Sequence, residues 1–221
     1  AMAHAVPIPE EGVSFAGIQA FIAGHGGRDA FEGLTTTDVC KLFILPATAA
    51  GQSSYTQFLL ASDPGTCHIG RARAFVSHAW RYLFLDLVDA LAGAPSDVFL
   101  WVDLFVNNQH QAPSLDFDWW STTFKESIRG IGRTFMVLSP WKDPIPLTRA
   151  WCLWELYCTV QVGAAFEVLL PSAEQQSFVT TLTSEFDEIA LALSKIDVER
   201  ADAWKHEDKV AILHSVRASP G

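Results

Sequence analysis

Charged side chains are scarce in this chain, 18% of it against 49% hydrophobic residues, a balance that argues against disorder and supplies a substantial core. Basic residues are the rarer sign, with 15 Lys and Arg against 25 Asp and Glu. The resulting net charge of -10 argues against general binding to nucleic-acid phosphates or to an anionic membrane surface. No apolar run approaches the roughly eighteen residues of a membrane span, and no secretory pattern opens the chain. Cysteine is sparse too. Cys40, Cys67, Cys152 and Cys158 form neither a Cys-x-x-Cys pair nor a Cys/His ligand set. They read as reduced core thiols in a cytoplasmic protein with no metal site.

What the chain does have is one apolar helix carrying a single acid. Thr148 is placed to cap it after the Pro144-Ile145-Pro146 turn, and Gly163 to stop it. Between them Trp151, Leu153, Trp154, Leu156, Tyr157, Val160 and Val162 leave almost no polar face, the pattern of a helix covered on most sides. Glu155 stands one turn after Trp151, so the two share a face. A carboxylate there is costly unless it is partnered or opens into a cleft.

The 221 residues fit one large domain or a compact core with helical additions. Residues 1–70 read as a helical N-terminal extension. Ser14 caps a helix that buries Phe15, Ile18, Phe21 and Ile22. A second helix spans about 37–45 with Val39, Leu42 and Phe43 inward and stops at Pro46. A third covers about 53–61. From Arg73 the pattern alternates: strands at 73–77, 98–103, 134–139 and 166–170, separated by helices at about 82–91 (Leu83, Leu87, Val88 and Leu91 inward), 119–131 and the Glu155 helix. Right-handed crossovers then make a flavodoxin-like α/β three-layer sandwich with a parallel sheet of 4–5 strands over residues 71–171. Residues 172–221 read as a helical C-terminal extension, helices near 172–195 and 201–216, with Phe178, Leu182, Phe186, Ile189 and Leu193 docking on the core.

Open parallel sheets collect ligands at the carboxyl ends of their strands. The first strand delivers Ser77, His78 and Trp80 there, the second Asp103, Asn107 and Asn108, the third Ser139 and Trp141. The helix brings Trp151 and Glu155 back to the same rim. Each has an ordinary structural role as well, in capping or packing; their convergence marks a candidate cleft.

Arg73-Ala74-Phe75-Val76-Ser77-His78, the Trp101-Val102-Asp103 ending, Val137-Leu138-Ser139-Pro140 and Trp151-Cys152-Leu153-Trp154-Glu155-Leu156, in that order and spacing, resemble a TIR domain. The likeness covers about residues 71–171. It is nearest to the divergent TIR-like domains of algae and other microbial eukaryotes, and the Trp-Cys-Leu-x-Glu-Leu element is similar to plant TIR domains. The resemblance implies an NAD glycohydrolase, cutting the nicotinamide–ribose bond to give nicotinamide and ADP-ribose or a cyclic isomer. It implies Glu155 as the catalytic residue, and Ser77, His78, Trp80, Asp103, Trp141 and Trp151 as residues around the dinucleotide. NAD is then a substrate, no cofactor is required, and the active form is a homo-oligomer assembled through the loop from Leu104 to Phe117. The alternative is a non-catalytic TIR-like self-association module. Two positions depart from the family: Ala79-Trp80 stands where many catalytic members carry a basic residue, and Arg149 where plant members carry serine.

A single acid is consistent with this chemistry. Glycosidases generally need a second carboxyl to protonate a leaving oxygen. Nicotinamide leaves as a neutral amine-type base from a cation, so only the developing charge on the ribose needs support.

Overall fold

A computed structural model of the chain describes residues 9–184, 200–203 and 205–218. Six strands, β1 (Glu11–Ser14), β2 (Ile69–Arg71), β3 (Ala74–Ser77), β4 (Phe99–Trp101), β5 (Arg133–Val137) and β6 (Ala165–Leu169), form one sheet in the order β2-β1-β4-β3-β5-β6. The last four run parallel, and β1 is antiparallel to both β2 and β4. The molecule is therefore α/β with a mostly parallel sheet flanked by helices, compatible with the flavodoxin-like class. The chain passes from β3 to β4 on one side, then crosses back to β5 on the other. The switch point of the topology thus falls at the carboxyl end of β3.

The expected sheet of 4–5 parallel strands is corrected to six strands, two of them outside the parallel set. Glu11-Gly12-Val13-Ser14 and Ile69-Gly70-Arg71 are short and contain glycine, so neither shows the alternation that marks a strand. Both form because β4 offers an edge. The glycines are required there: a Cβ on Gly12 would meet the Leu100 carbonyl oxygen at 2.9 Å, and one on Gly70 the Phe99 ring at 2.6 Å.

Ser14 ends β1 and caps α1 (Phe15–Gly24), its Oγ accepting from the Gly17 N–H at 3.0 Å. The second helical stretch, α2, runs over 36–48: Thr36–Val39, a π turn Cys40–Ile44, then Leu45–Thr48. The helix does not stop at Pro46 as expected. The π turn lets it continue, because the Leu45 N–H reaches back to Cys40 and the ladder is already offset where proline supplies no donor. The same offset turns Leu42 outward, 57% exposed, and brings Cys40 and Ile44 into the core. α3 (Tyr55–Ser62) starts at a Ser54/Gln57 capping box. α4 (Phe84–Leu91) begins one residue after Leu83, which is exposed rather than inward. A short helix, α5 (Asp103–Val106), replaces the expected end of the second strand. α6 (Phe117–Ile131) and α7 (Ala150–Val162) follow.

Successive residues of β3 feed two clusters. Ala74 and Val76 join Ile18, Phe21, Phe31, Phe84, Leu87 and Phe105, while Phe75 joins Trp101, Phe124, Ile128, Leu153 and Trp154. Phe21 meets Phe31, Tyr55 and Phe105 edge-on or nearly so, with centroids 5.5, 5.2 and 5.4 Å away, which fuses the N-terminal helices to the sheet.

α8 (Ser172–Ser184) sets Phe178 against Trp141 at 5.2 Å, but Leu182 is exposed. α9 (His206–Arg217) starts later than expected. Phe186, Ile189 and Leu193 lie outside the described residues. β6 is exposed along most of its length, so the expectation of a sheet covered on both faces fails at this edge. No helix among the described residues is long and apolar enough to cross a membrane.

Replacing Gly12 by alanine tests the added strand. The new methyl meets backbone, which cannot rotate away, so Gly12→Ala is expected to lower unfolding stability by about 1–3 kcal/mol in denaturant titration. A change under about 0.5 kcal/mol would show that β1 does not pair with β4.

Candidate functional site

Ser77 ends β3, between β4 and β5, and its hydroxyl donates to Glu155 Oε2 on α7 at 2.5 Å. Both residues are buried, Glu155 to 7% exposure. Burial pushes the Glu155 carboxyl well above the usual carboxylate range; the Ser77 hydroxyl pulls it back, and the nearby charge of Asp103 pushes it further up. No basic group among the described residues pairs with it. The site thus favours the protonated form of the acid, and an arriving positive charge would favour its ionised form.

The next residue, His78, is buried, and neither ring nitrogen has a hydrogen-bond partner. Burial lowers its pKa more than the neighbouring Asp103 raises it, so the imidazole is neutral. Its Nδ1 stands 3.9 Å from Asp103 Oδ1, too far for a hydrogen bond. The His78 carbonyl accepts from the Cys152 thiol at 3.5 Å. Trp80 Nε1 donates to Asp103 Oδ2 at 2.7 Å, and the Leu104 N–H caps Oδ1 at 2.8 Å. Burial raises Asp103, while His78, Trp80 and Leu104 each draw it down. Its side chain keeps 19% exposure, the most open acid of the group.

The turn after β3 that carries these residues is clamped by the start of α2. The Thr36 and Thr37 N–H groups, which a helix N-terminus leaves unpaired, donate to the carbonyls of Tyr82 and Trp80 at 3.0 and 3.2 Å. Tyr82 in turn donates from its hydroxyl to the Val137 carbonyl at 3.2 Å and accepts from the Ser139 N–H at 2.7 Å. That joins the end of β3 to the end of β5.

Ser77, His78, Trp80, Asp103 and Glu155 are therefore brought together. Trp141 and Trp151 are not part of that group. Trp141 packs on Phe178 and Leu170, with its Nε1 donating to Ser177 Oγ at 3.2 Å. Trp151 lies against Phe117 and Phe124, both at 5.5 Å, and donates to Asp208 on α9 at 3.2 Å. Thr148 does not cap α7; it closes a 3-10 turn by donating to the Ile145 carbonyl, and the first helical N–H, of Ala150, is taken by the Asp202 carbonyl at 2.9 Å. Two residues of the site went unread in the sequence. Cys152 sits one turn before Glu155, a spacing that marks a shared face, whereas nothing local announces the reach of Tyr82. Among the described residues, no group of three or more His, Cys, Asp or Glu is placed to hold a metal ion.

No protein-family model matches the chain, and no curated protein or solved structure matches it.

The raised acid makes a pH prediction. Glu155 binds its proton more tightly folded than unfolded, so it costs stability as pH climbs above the unfolded value, about 4.3. Glutamine keeps an acceptor for Ser77 without that cost. Glu155→Gln is expected to gain on the wild type in melting temperature between about pH 5 and pH 8, by roughly 2–4 °C for each kcal/mol. Parallel pH profiles for the two proteins would refute the buried neutral carboxyl.

Proposed function

We propose that the chain is a TIR-like domain of the three-layer flavodoxin type that cleaves NAD at the nicotinamide–ribose bond, with Glu155 as the carboxylate at the reacting ribose. The observation that carries the reading is a buried acid at the carboxyl end of the central strand, bonded to Ser77 and paired with no basic group among the described residues. In this reaction the C1′–N bond breaks, and its electron pair leaves with nicotinamide. Positive charge grows on the ribose, and water adds at C1′ with loss of a proton. An adenine nitrogen adding in place of water gives a cyclic isomer.

The raised Glu155 suits this sequence of events. The pyridinium of NAD entering beside the carboxyl offsets its desolvation cost, so the acid ionises as the substrate docks. The field of that anion, in a site poor in water, then opposes the charge on the ribose. Asp103 is near enough for its charge to act on the acid, with His78 beside it and Trp80 bonded to it. Since Glu155 is 7% exposed, docking requires the turn after β3 to swing outward. The loop from Leu104 to Phe117 is the proposed contact between copies in the active homo-oligomer.

Purified protein incubated with NAD, with products separated by chromatography, tests the assignment. Glu155→Ala and Glu155→Gln are both expected to lower turnover by about 10²-fold or more. In the wild type kcat/KM rises with pH over a range above that of an ordinary carboxylate, because the raised acid must be ionised to act. NAD binding, followed by calorimetry in buffers of different ionisation enthalpy, releases a proton in the wild type and none in Glu155→Gln. Equal turnover in all three proteins removes Glu155 from its role.

One observation favours the second reading, a non-catalytic self-associating module: both Glu155 and His78 are nearly closed off from solvent. Absence of turnover at protein concentrations where assemblies form decides for that reading.

A further inference from the structure

The turn between β3 and α4, residues 78–83, lies against the start of α7, where the carbonyl of His78 accepts from the Cys152 thiol one turn before Glu155. Its two ends are firmly set. Ser77 is paired within the sheet. Tyr82 is buried, its hydroxyl bonded to the Val137 carbonyl and the Ser139 N–H. Phe84, which opens α4, is fully buried with its N–H on the Leu34 carbonyl at 2.8 Å. The tip between them is closed on itself, the Tyr82 N–H donating to the Ala79 carbonyl at 2.9 Å. What holds the tip down comes from elsewhere in the chain. The Trp80 carbonyl accepts from both the N–H and the hydroxyl of Thr37, each at 3.2 Å, and the Trp80 indole donates to Asp103. Thr37 is half-buried, and Arg81, next to Trp80, is exposed. The two Thr37 bonds are long and lie at the rim, where water competes for both partners.

We propose that residues 78–81 form a gate to the Glu155 site, hinged at Ser77 and Tyr82 and latched by Thr37, so that α2 sets how often the site is open. Local openings draw on segments with few buried contacts and solvent-side hydrogen bonds. Lifting this tip breaks the Thr37 bonds and parts the His78 carbonyl from Cys152, while β3 stays paired with β4 and β5. It also brings water to the His78 ring, whose nitrogens have no partner among the described residues in the closed turn, and that offsets part of the cost. Thr37 precedes the alternating strands and helices, so the latch is supplied by a part of the chain outside the repeating α/β pattern. The consequence for turnover rests on the proposed role of Glu155, through the population of the open form. The opening itself does not.

Thiol labelling of the full chain with dithiodipyridine, read residue by residue by peptide mass spectrometry, measures the open population. Cys152 reports the gate, because its thiol is buried behind the His78 carbonyl. Cys158, buried beside Phe124 and Ile128, reports wholesale unfolding. Cys152 is expected to react at least about tenfold faster than Cys158, at a rate nearly independent of urea below the unfolding transition, since lifting a short turn exposes little surface. Thr37→Val removes the hydroxyl bond at nearly constant shape and is expected to speed Cys152 labelling by about three- to tenfold, and Thr37→Ser to restore the wild-type rate. Equal rates for the two thiols, a Cys152 rate that climbs with urea as steeply as that of Cys158, or a Thr37→Val protein that labels like the wild type overturns the gate. If Glu155 is the reacting acid, Thr37→Val also raises NAD turnover at low substrate. Faster Cys152 labelling with no NAD turnover in either protein upholds the gate and removes the NAD reading.

Discussion

The hydroxyl of Ser77 and the carboxyl of Glu155 meet where the central strand ends, and the placement of α7 depends on that meeting. An apolar helix has many ways to lie on a sheet, since dispersion contacts are individually weak and nondirectional. Polar contacts choose among them. Thr159 donates to the Glu155 carbonyl within the helix and pairs by hydroxyl with Thr134 of β5 at 2.9 Å. The Cys152 thiol reaches the His78 carbonyl. Three polar contacts along one side of an otherwise largely apolar helix fix its rotation and height, which is a specifying role more than a stabilising one.

The surroundings of the carboxyl follow from burial rather than from opposite charge. No cation among the described residues pairs with Glu155, and burial favours its protonated form. His78, one residue past Ser77, responds to the same dry environment in the opposite sense and gives its proton up. Burial thus favours the uncharged form of both the acid and the imidazole near the end of β3, with the more exposed Asp103 next to the imidazole. Such a group of side chains is sensitive to the charge of whatever approaches it.

Much of this was legible in the residues. The alternation from Arg73 onward places β3, β4, β5 and β6 within two residues of their observed ends, and the Glu155 helix is marked by its nearly unbroken apolar surface and by Gly163. The convergence of Ser77, His78, Trp80, Asp103 and Glu155 followed from topology, because crossovers bring all strand ends to one rim. What escaped were features that tertiary contacts impose. β1 and β2 are too short to carry a period and exist only against a ready edge. The π turn that carries α2 through Pro46 has no local signature. Trp141 and Trp151 obeyed the usual rule for indoles, which is to pack, and their N–H groups found partners on α8 and α9, outside the repeating pattern.

The added strands set a limit on how small the protein can be made. β1 belongs to the start of the chain, yet Val13 registers with Leu100, and the Ser14 N–H is bonded to the carbonyl of His68. Beyond the sheet, the indole N–H of Trp101, buried in the middle of one cluster, donates to the carbonyl of Pro9 at 3.0 Å. Excising only the repeating α/β portion would strip a hydrogen-bonding partner from β4 along its free side and bare the aromatic cluster around Phe21. The shortest autonomous unit therefore begins before Glu11, and its first few residues pair with a strand that the chain reaches only about ninety residues later.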